Sequence, residues 1–86
     1  MASVEELRRE IAVANQDIDS ARGAFQQGIS SLEQAQGALA QAIQGSSQAE
    51  AGEINNMIAQ AVELATNAAR LTEQVQSTTN AFAERL

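Results

Sequence analysis

The chain has 86 residues and a mass of 9.1 kDa, and 44% of its residues are hydrophobic but only 2% aromatic. Five arginines against eleven acidic residues give a net charge of −6, which argues against nucleic acid or an anionic membrane surface as the partner. Because the chain has no His, Cys, Lys, Tyr or Trp, we expect no enzyme, no cofactor, no metal site and no small-molecule substrate.

The first predicted element is a helix over about residues 3–44. Ser3 followed by Glu6 has the spacing of a capping box, in which the serine side chain accepts a hydrogen bond from the glutamate amide. A seven-residue apolar repeat then continues to the end of this segment and predicts the face that packs on a partner helix. Its two lines are Val4, Ile11, Ile18, Phe25, Leu32 and Leu39, and Leu7, Ala14, Ala21, Gly28, Ala35 and Ala42.

A turn is predicted over about residues 45–48, within the segment GSSQAEAG. Gly45 has the residue type that ends helices in a left-handed conformation, and Ser47 with Glu50 repeats the capping box. The second helix is predicted over about residues 49–85, weakened near Ser77–Asn80 by side chains that compete for the backbone. Its two apolar lines are Ile54, Ala61, Ala68, Val75 and Phe82, and Met57, Leu64, Leu71 and Thr78.

These elements predict an all-α fold, an antiparallel two-helix hairpin in which the whole chain is one domain. Folding the lines onto each other places Leu32 opposite Leu64 and Ala35 opposite Ala61, so that the residue numbers of each pair add to 96. Large and small layers then alternate, as close helix packing prefers. In this register the residues before about Glu10 have no intrachain partner, and we expect Val4 and Leu7 to form a docking end.

A second apolar strip is expected beside the main one, formed by Ile29, Ile43, Ile58 and Val62. Since one alanine-rich contact between two helices buries little apolar area, the strip favours a homodimer that forms a four-helix bundle. Two alternatives remain at this stage: a hetero-oligomer with another helical protein, or a wide stripe that covers one thin core within a single chain.

The start of the chain, MASVEELRRE, has no apolar stretch of signal-peptide type, and no segment approaches the roughly 18 apolar residues of a membrane span. We therefore expect either a cytoplasmic protein or one that is exported without a cleavable signal peptide.

Two long helices, one central turn and an acidic balance resemble the Trp-x-Gly family of small helical hairpins of type VII secretion. The lysine-free composition is similar to that of high-GC actinobacterial proteins. This chain has Gly45 and Gly52 but no Trp in its turn segment, and Phe82 and Leu86 where the family has its Tyr-x-x-x-Asp/Glu export signal. The resemblance implies a dimeric partner or carrier associated with a secretion or secreted-toxin locus. The alternative is a cytosolic coiled-coil scaffold or adaptor subunit of a larger assembly.

Overall fold

The structure is a computed structural model that describes residues 3–44 and 48–86. It consists of two long helices, α1 (Val4–Ala42) and α2 (Gln48–Glu84), which pack antiparallel along their length. The molecule measures 65 × 16 × 15 Å, the dimensions of a single pair of helices. The prediction of an all-α helical hairpin is confirmed.

The two ends of α1 are defined by local hydrogen bonds. At its start, the Ser3 side chain accepts from the Glu6 amide at 3.1 Å, which confirms that half of the predicted capping box. At its end, the Ile43 amide donates to the Leu39 carbonyl at 2.9 Å. Gly45 and Ser47 lie outside the described residues, so the left-handed glycine and the second capping box stay predictions.

The contact between the helices, called the seam below, follows a strict alternation of four- and three-residue steps. Its members are all half-buried, while Ala14, Ala35 and Ala42 beside them are exposed. On α1 the seam consists of Ile11, Asn15, Ile18, Arg22, Phe25, Ile29, Leu32, Gln36, Leu39 and Ile43. On α2 it consists of Ala51, Asn55, Ile58, Val62, Ala65, Ala69, Thr72, Gln76, Thr79 and Ala83.

The predicted packing face is therefore wrong in part. On α1, the predicted line that contains Ile11 does lie in the seam. The second seam line of α1 contains Asn15, whereas the prediction had chosen the line that contains Ala14. On α2, the predicted line of Met57 points to solvent and the line of Ile58, one residue later, packs on α1. One residue is about 100° around a helix, which is enough to move a line from one face to the next.

A set of side chains at the open end of the hairpin fixes the register; it is called the polar network below. The Arg22 Nε donates to the Thr72 Oγ1 at 3.0 Å, and the Thr79 Oγ1 donates to the Asn15 Oδ1 at 2.7 Å. The residue numbers of these pairs add to 94, so the predicted register of 96 is wrong by two residues. The network consists of Asn15, Asp19, Arg22, Thr72, Gln76, Thr79 and Asn80.

The polar network also passes through the Ser77–Asn80 segment that was expected to weaken α2. Asn80 accepts from the Asn15 Nδ2 at 2.9 Å, and α2 continues without interruption to Glu84. In this segment Thr79 and Asn80 bond to Asn15 of α1, and Thr79 also donates to the Gln76 carbonyl of its own helix at 3.0 Å.

Two helices alone leave the seam open on both sides. Among the described residues, no side chain, polar or apolar, is fully buried. The hairpin thus has a defined contact between its helices but no enclosed core.

Candidate protein-interaction surface

Large apolar side chains of α2 line the surface of the hairpin outside the seam. The exposed fractions are 71% for Leu64, 62% for Met57 and 59% for Leu71, with 48% for Phe82 and 44% for Val75. Together with Ile54, Ala61 and Ala68 they recur in three- and four-residue steps over four heptads. Such spacing forms a continuous stripe on one side of a helix and is typical of a second helix-packing seam.

A matching line of α1 consists only of small residues. It runs through Ala14, Ala21, Gly28, Ala35 and Ala42 at intervals of seven. Ala14, Ala35 and Ala42 are exposed, whereas Ala21 and Gly28 are half-buried. A Cβ added at Gly28 would have nothing within 4 Å, so there is room beside the line at this point. A helix of another chain could approach the α1 backbone closely along it.

The α2 stripe and the α1 small-residue line lie on the same side of the hairpin. On each helix the line lies next to the seam, one residue before a seam position: Ala14 precedes Asn15 on α1, and Ile54 precedes Asn55 on α2. Both lines are thus displaced from the seam by the same rotation about the axis of their own helix. In antiparallel helices that face one another, this rotation leads to the same side of the pair. The α1 line and the α2 stripe therefore form one surface, called the outer apolar face below.

Among the described residues, the α1 line from Ala14 to Ala42 and the α2 stripe from Ile54 to Phe82 contain no charged residue, and the exposed Asp17 lies next to the α1 line, three residues after Ala14. Thr78 is the polar side chain in the stripe. Charged residues such as Asp19, Glu33 and Glu73 lie instead on the opposite side of the hairpin, where Asp19 also accepts from Arg22 at 3.0 Å. The hairpin is thus amphipathic as a whole, with one apolar and one polar side.

The four residues predicted to form a strip beside the main contact, Ile29, Ile43, Ile58 and Val62, are half-buried members of the seam. Their predicted position beside the seam is wrong. The line of Ile29 also contains the polar residues Asn15, Arg22 and Gln36. A hydrophobicity pattern places polar residues outside a contact, which is the physical reason for the wrong position. Hydrogen bonds with α2 bring that line into the seam.

The two residues predicted to form a docking end differ in exposure. Val4 begins α1 with 44% of its surface exposed, whereas Leu7 is half-buried. They lie beyond the polar network, at the end of the hairpin opposite the turn.

The sequence pattern does not predict that these residues lie on the outer surface of the hairpin, although they form a clear seven-residue apolar repeat. Their seven-residue repeat was recognised, but it was assigned to the contact within the chain. The polar network gave no apolar signal at all. Its residues could have been found from their spacing, since Asn15 and Arg22 on α1 and Thr72, Gln76 and Thr79 on α2 are three, four or seven residues apart.

Other surface features offer little chemistry. An open concavity of about 300 Å³ beside Leu64 is lined by Gln60, Glu63 and Asn67, one carboxylate and two amides of a single helix. In residues 3–44 and 48–86 no three carboxylates come together in a group that could hold a metal ion. In the same residues, neither helix combines the length and the apolarity needed to cross a membrane.

Comparison with known proteins gives no relative: no protein-family model, curated protein or solved structure matches the chain. The geometry of the hairpin and its outer apolar face is consequently the basis on which a function can be assigned.

Proposed function

We propose that this chain is a non-catalytic protein–protein interaction module, a small helical hairpin that acts by packing its outer apolar face on other helices. The observation that supports this is the contrast between five exposed large side chains on α2 and the absence of a fully buried side chain among the described residues. Apolar surface of this extent marks interaction sites in soluble proteins. A helix laid along this face would contact Met57, Leu64 and Leu71 at every second turn.

The biological setting we propose is that of a partner or carrier in a type VII-like secretion or secreted-toxin system. The resemblance of the two-helix chain to the Trp-x-Gly hairpins supports this setting. A long amphipathic hairpin also has the shape that a carrier needs, because one side can hold a helix of the cargo while the polar side remains hydrated.

Site-specific photocrosslinking in the native cells tests the interaction function. A photoreactive amino acid replaces Leu64 on the outer apolar face, and in a matched control it replaces Ala59, which is exposed on the other side of α2. We expect covalent adducts at position 64 and far fewer at position 59, because only the first position lies in the proposed contact.

Equal adduct yields at the two positions, or none at either, would contradict the interaction function. Adducts at position 64 that contain secretion or toxin components would support the proposed setting. Adducts with the subunits of a cytosolic assembly would replace it with the scaffold alternative.

A further inference from the structure

We propose that access to the outer apolar face is controlled by a second packing of the same two helices, in which both turn about their own axes and the α2 stripe packs on α1. This arrangement is called the rolled packing below, and that of the structure the open packing. The inference rests on the proposed interaction function, because the rolled packing hides the face that a partner contacts.

One line of α1 belongs to both packings. The line of Ile11 and Phe25 lies in the seam, between the line of Asn15 and the small-residue line that contains Gly28. Turning α1 by about 50° replaces the Asn15 line with the small-residue line and keeps the shared line in contact. Gly28 is already half-buried at the edge of the seam. The rolled packing is therefore reached without separating the two helices.

The stripe of α2 reaches α1 by a larger turn. Its Ile54 and Met57 lines each precede a seam line, those of Asn55 and Ile58, by one residue, which is about 100° around the helix. Because the stripe and the small-residue line are on the same side of the hairpin, both helices turn that side inward. The outer apolar face then becomes the contact between them.

The rolled packing brings apolar residues to the same height. When α2 is displaced along α1 by two residues, about 3 Å, Leu32 is opposite Leu64 and Gly28 is opposite Ala68. Large and small layers alternate in this contact, as close helix packing requires. Leu64, which is 71% exposed in the open packing, becomes covered.

The polar network holds the helices in the open packing. Thr79 donates to Asn15 at 2.7 Å and Arg22 donates to Thr72 at 3.0 Å, and both bonds require the Asn15 line to be in the seam. Rolling exchanges these directional hydrogen bonds for apolar contact. A partner on the stripe binds only the open packing and shifts the chain toward it.

Intrachain disulfides report the two packings separately, because the sequence has no cysteine of its own. Gln36→Cys/Ile58→Cys places two thiols at the same height in the seam of the open packing. Ala35→Cys/Ala61→Cys does so in the rolled packing. Each double variant is oxidised in dilute solution, and the initial rate of intrachain linkage is measured by mass spectrometry.

Removing the polar network should favour the rolled packing. We expect Asn15→Ala with Arg22→Ala to raise the 35–61 rate relative to the 36–58 rate roughly tenfold, the population shift that corresponds to about 1.4 kcal/mol. An unchanged ratio would overturn the inference. Loss of helix by circular dichroism in this variant would overturn it as well, because no second packing then replaces the first.

Gly28→Leu is the reciprocal variant. In the open packing a Cβ at this position has nothing within 4 Å, so a side chain can leave the helix there without a clash. In the rolled packing the same side chain meets Ala68 in the thinnest layer. We expect Gly28→Leu to suppress the 35–61 link in the variant without the polar network and to leave the 36–58 link intact. A 35–61 rate that does not respond to Gly28→Leu would contradict the rolled packing.

Photocrosslinking at position 64 separates this inference from the proposed function. Adducts in cells together with a 35–61 rate that never responds to the polar network would overturn the rolled packing and leave the interaction function standing. A responsive rate without adducts would support the rolled packing and contradict the interaction function.

Discussion

Arg22 joins the two helices through its charged group. Its side chain is only 18% exposed, and its guanidinium group donates to Asp19 at 3.0 Å, to Thr72 at 3.0 Å and to Gln76. Gln76 in turn donates to Asp19 at 2.7 Å. One arginine thereby brings together a carboxylate of its own helix and two polar side chains of α2.

Removing this guanidinium should destabilise the hairpin. We expect Arg22→Ala to lower the free energy of unfolding by about 1–2 kcal/mol, because Thr72 and Gln76 lose a charged hydrogen-bond partner in a half-buried place. The matched control is Arg70→Ala, which removes an exposed arginine bonded to Asn67 at 3.3 Å and should change it by less than about 0.5 kcal/mol. Urea unfolding of both variants at equal chain concentration measures the difference. Equal effects of the two substitutions would show that the polar network contributes nothing specific.

Asn55 is a weak point of the seam. Its side-chain oxygen is buried and has no hydrogen-bond partner among the described residues. We expect Asn55→Leu to raise the free energy of unfolding by about 1 kcal/mol, because it removes an unsatisfied acceptor and adds apolar contact. Asn56→Leu, at the exposed neighbouring position, serves as the control and should have little effect. A less stable Asn55→Leu variant would indicate that the amide contributes to the register.

At the scale of the elements, the sequence was sufficient for the two helices but not for the face that each one packs. Residue composition, the Ser3 cap and the seven-residue repeat locate α1 and α2 because these are local properties. The packing face is a choice between two adjacent repeats that share the line of Ile11, Ile18 and Phe25. One repeat adds small apolar residues, the other adds Asn15 and Arg22.

Hydrophobicity alone favours the first of these repeats, whereas the structure uses the second within the chain. The reason is that Asn15 and Arg22 have partners on α2 at matching heights, and a rule based on single residues cannot see that pairing. The same limit applies to the candidate site. Met57, Leu64 and Leu71 were recognised as a contact line, but whether that contact lies within or between chains depends on the register.

At the scale of the whole molecule, the register can be tested by a disulfide within one chain. Gln36 and Ile58 are half-buried seam positions that the Asn15–Thr79 and Arg22–Thr72 register places at the same height. We expect the double variant Gln36→Cys/Ile58→Cys to oxidise readily to a monomeric product and to melt at a higher temperature when oxidised, because the link closes the turn end of the hairpin.

The control for this link is the pair Ala35→Cys/Ala61→Cys in one chain. Both positions lie beside the seam rather than in it, so their side chains do not point at each other and intrachain oxidation should be much slower than for positions 36 and 58. Efficient intrachain linkage of this second pair, with none for positions 36 and 58, would restore the register of 96. Mass spectrometry under non-reducing conditions distinguishes these products.

The unequal distribution of residue types along the seam has a consequence for how the hairpin folds. Next to the turn the seam is largely aliphatic, with Leu39 and Ile43 on α1 and Ile58 and Val62 on α2, whereas the polar network occupies the far end. Pairs near the turn close a short loop, which costs the least chain entropy, and their attraction does not depend on direction. The helices should therefore pair first next to the turn and then progressively further from it. These first apolar contacts can form in more than one register. The directional hydrogen bonds of Asn15 and Arg22 form last. They stabilise only the register in which their partners on α2 lie at the same height.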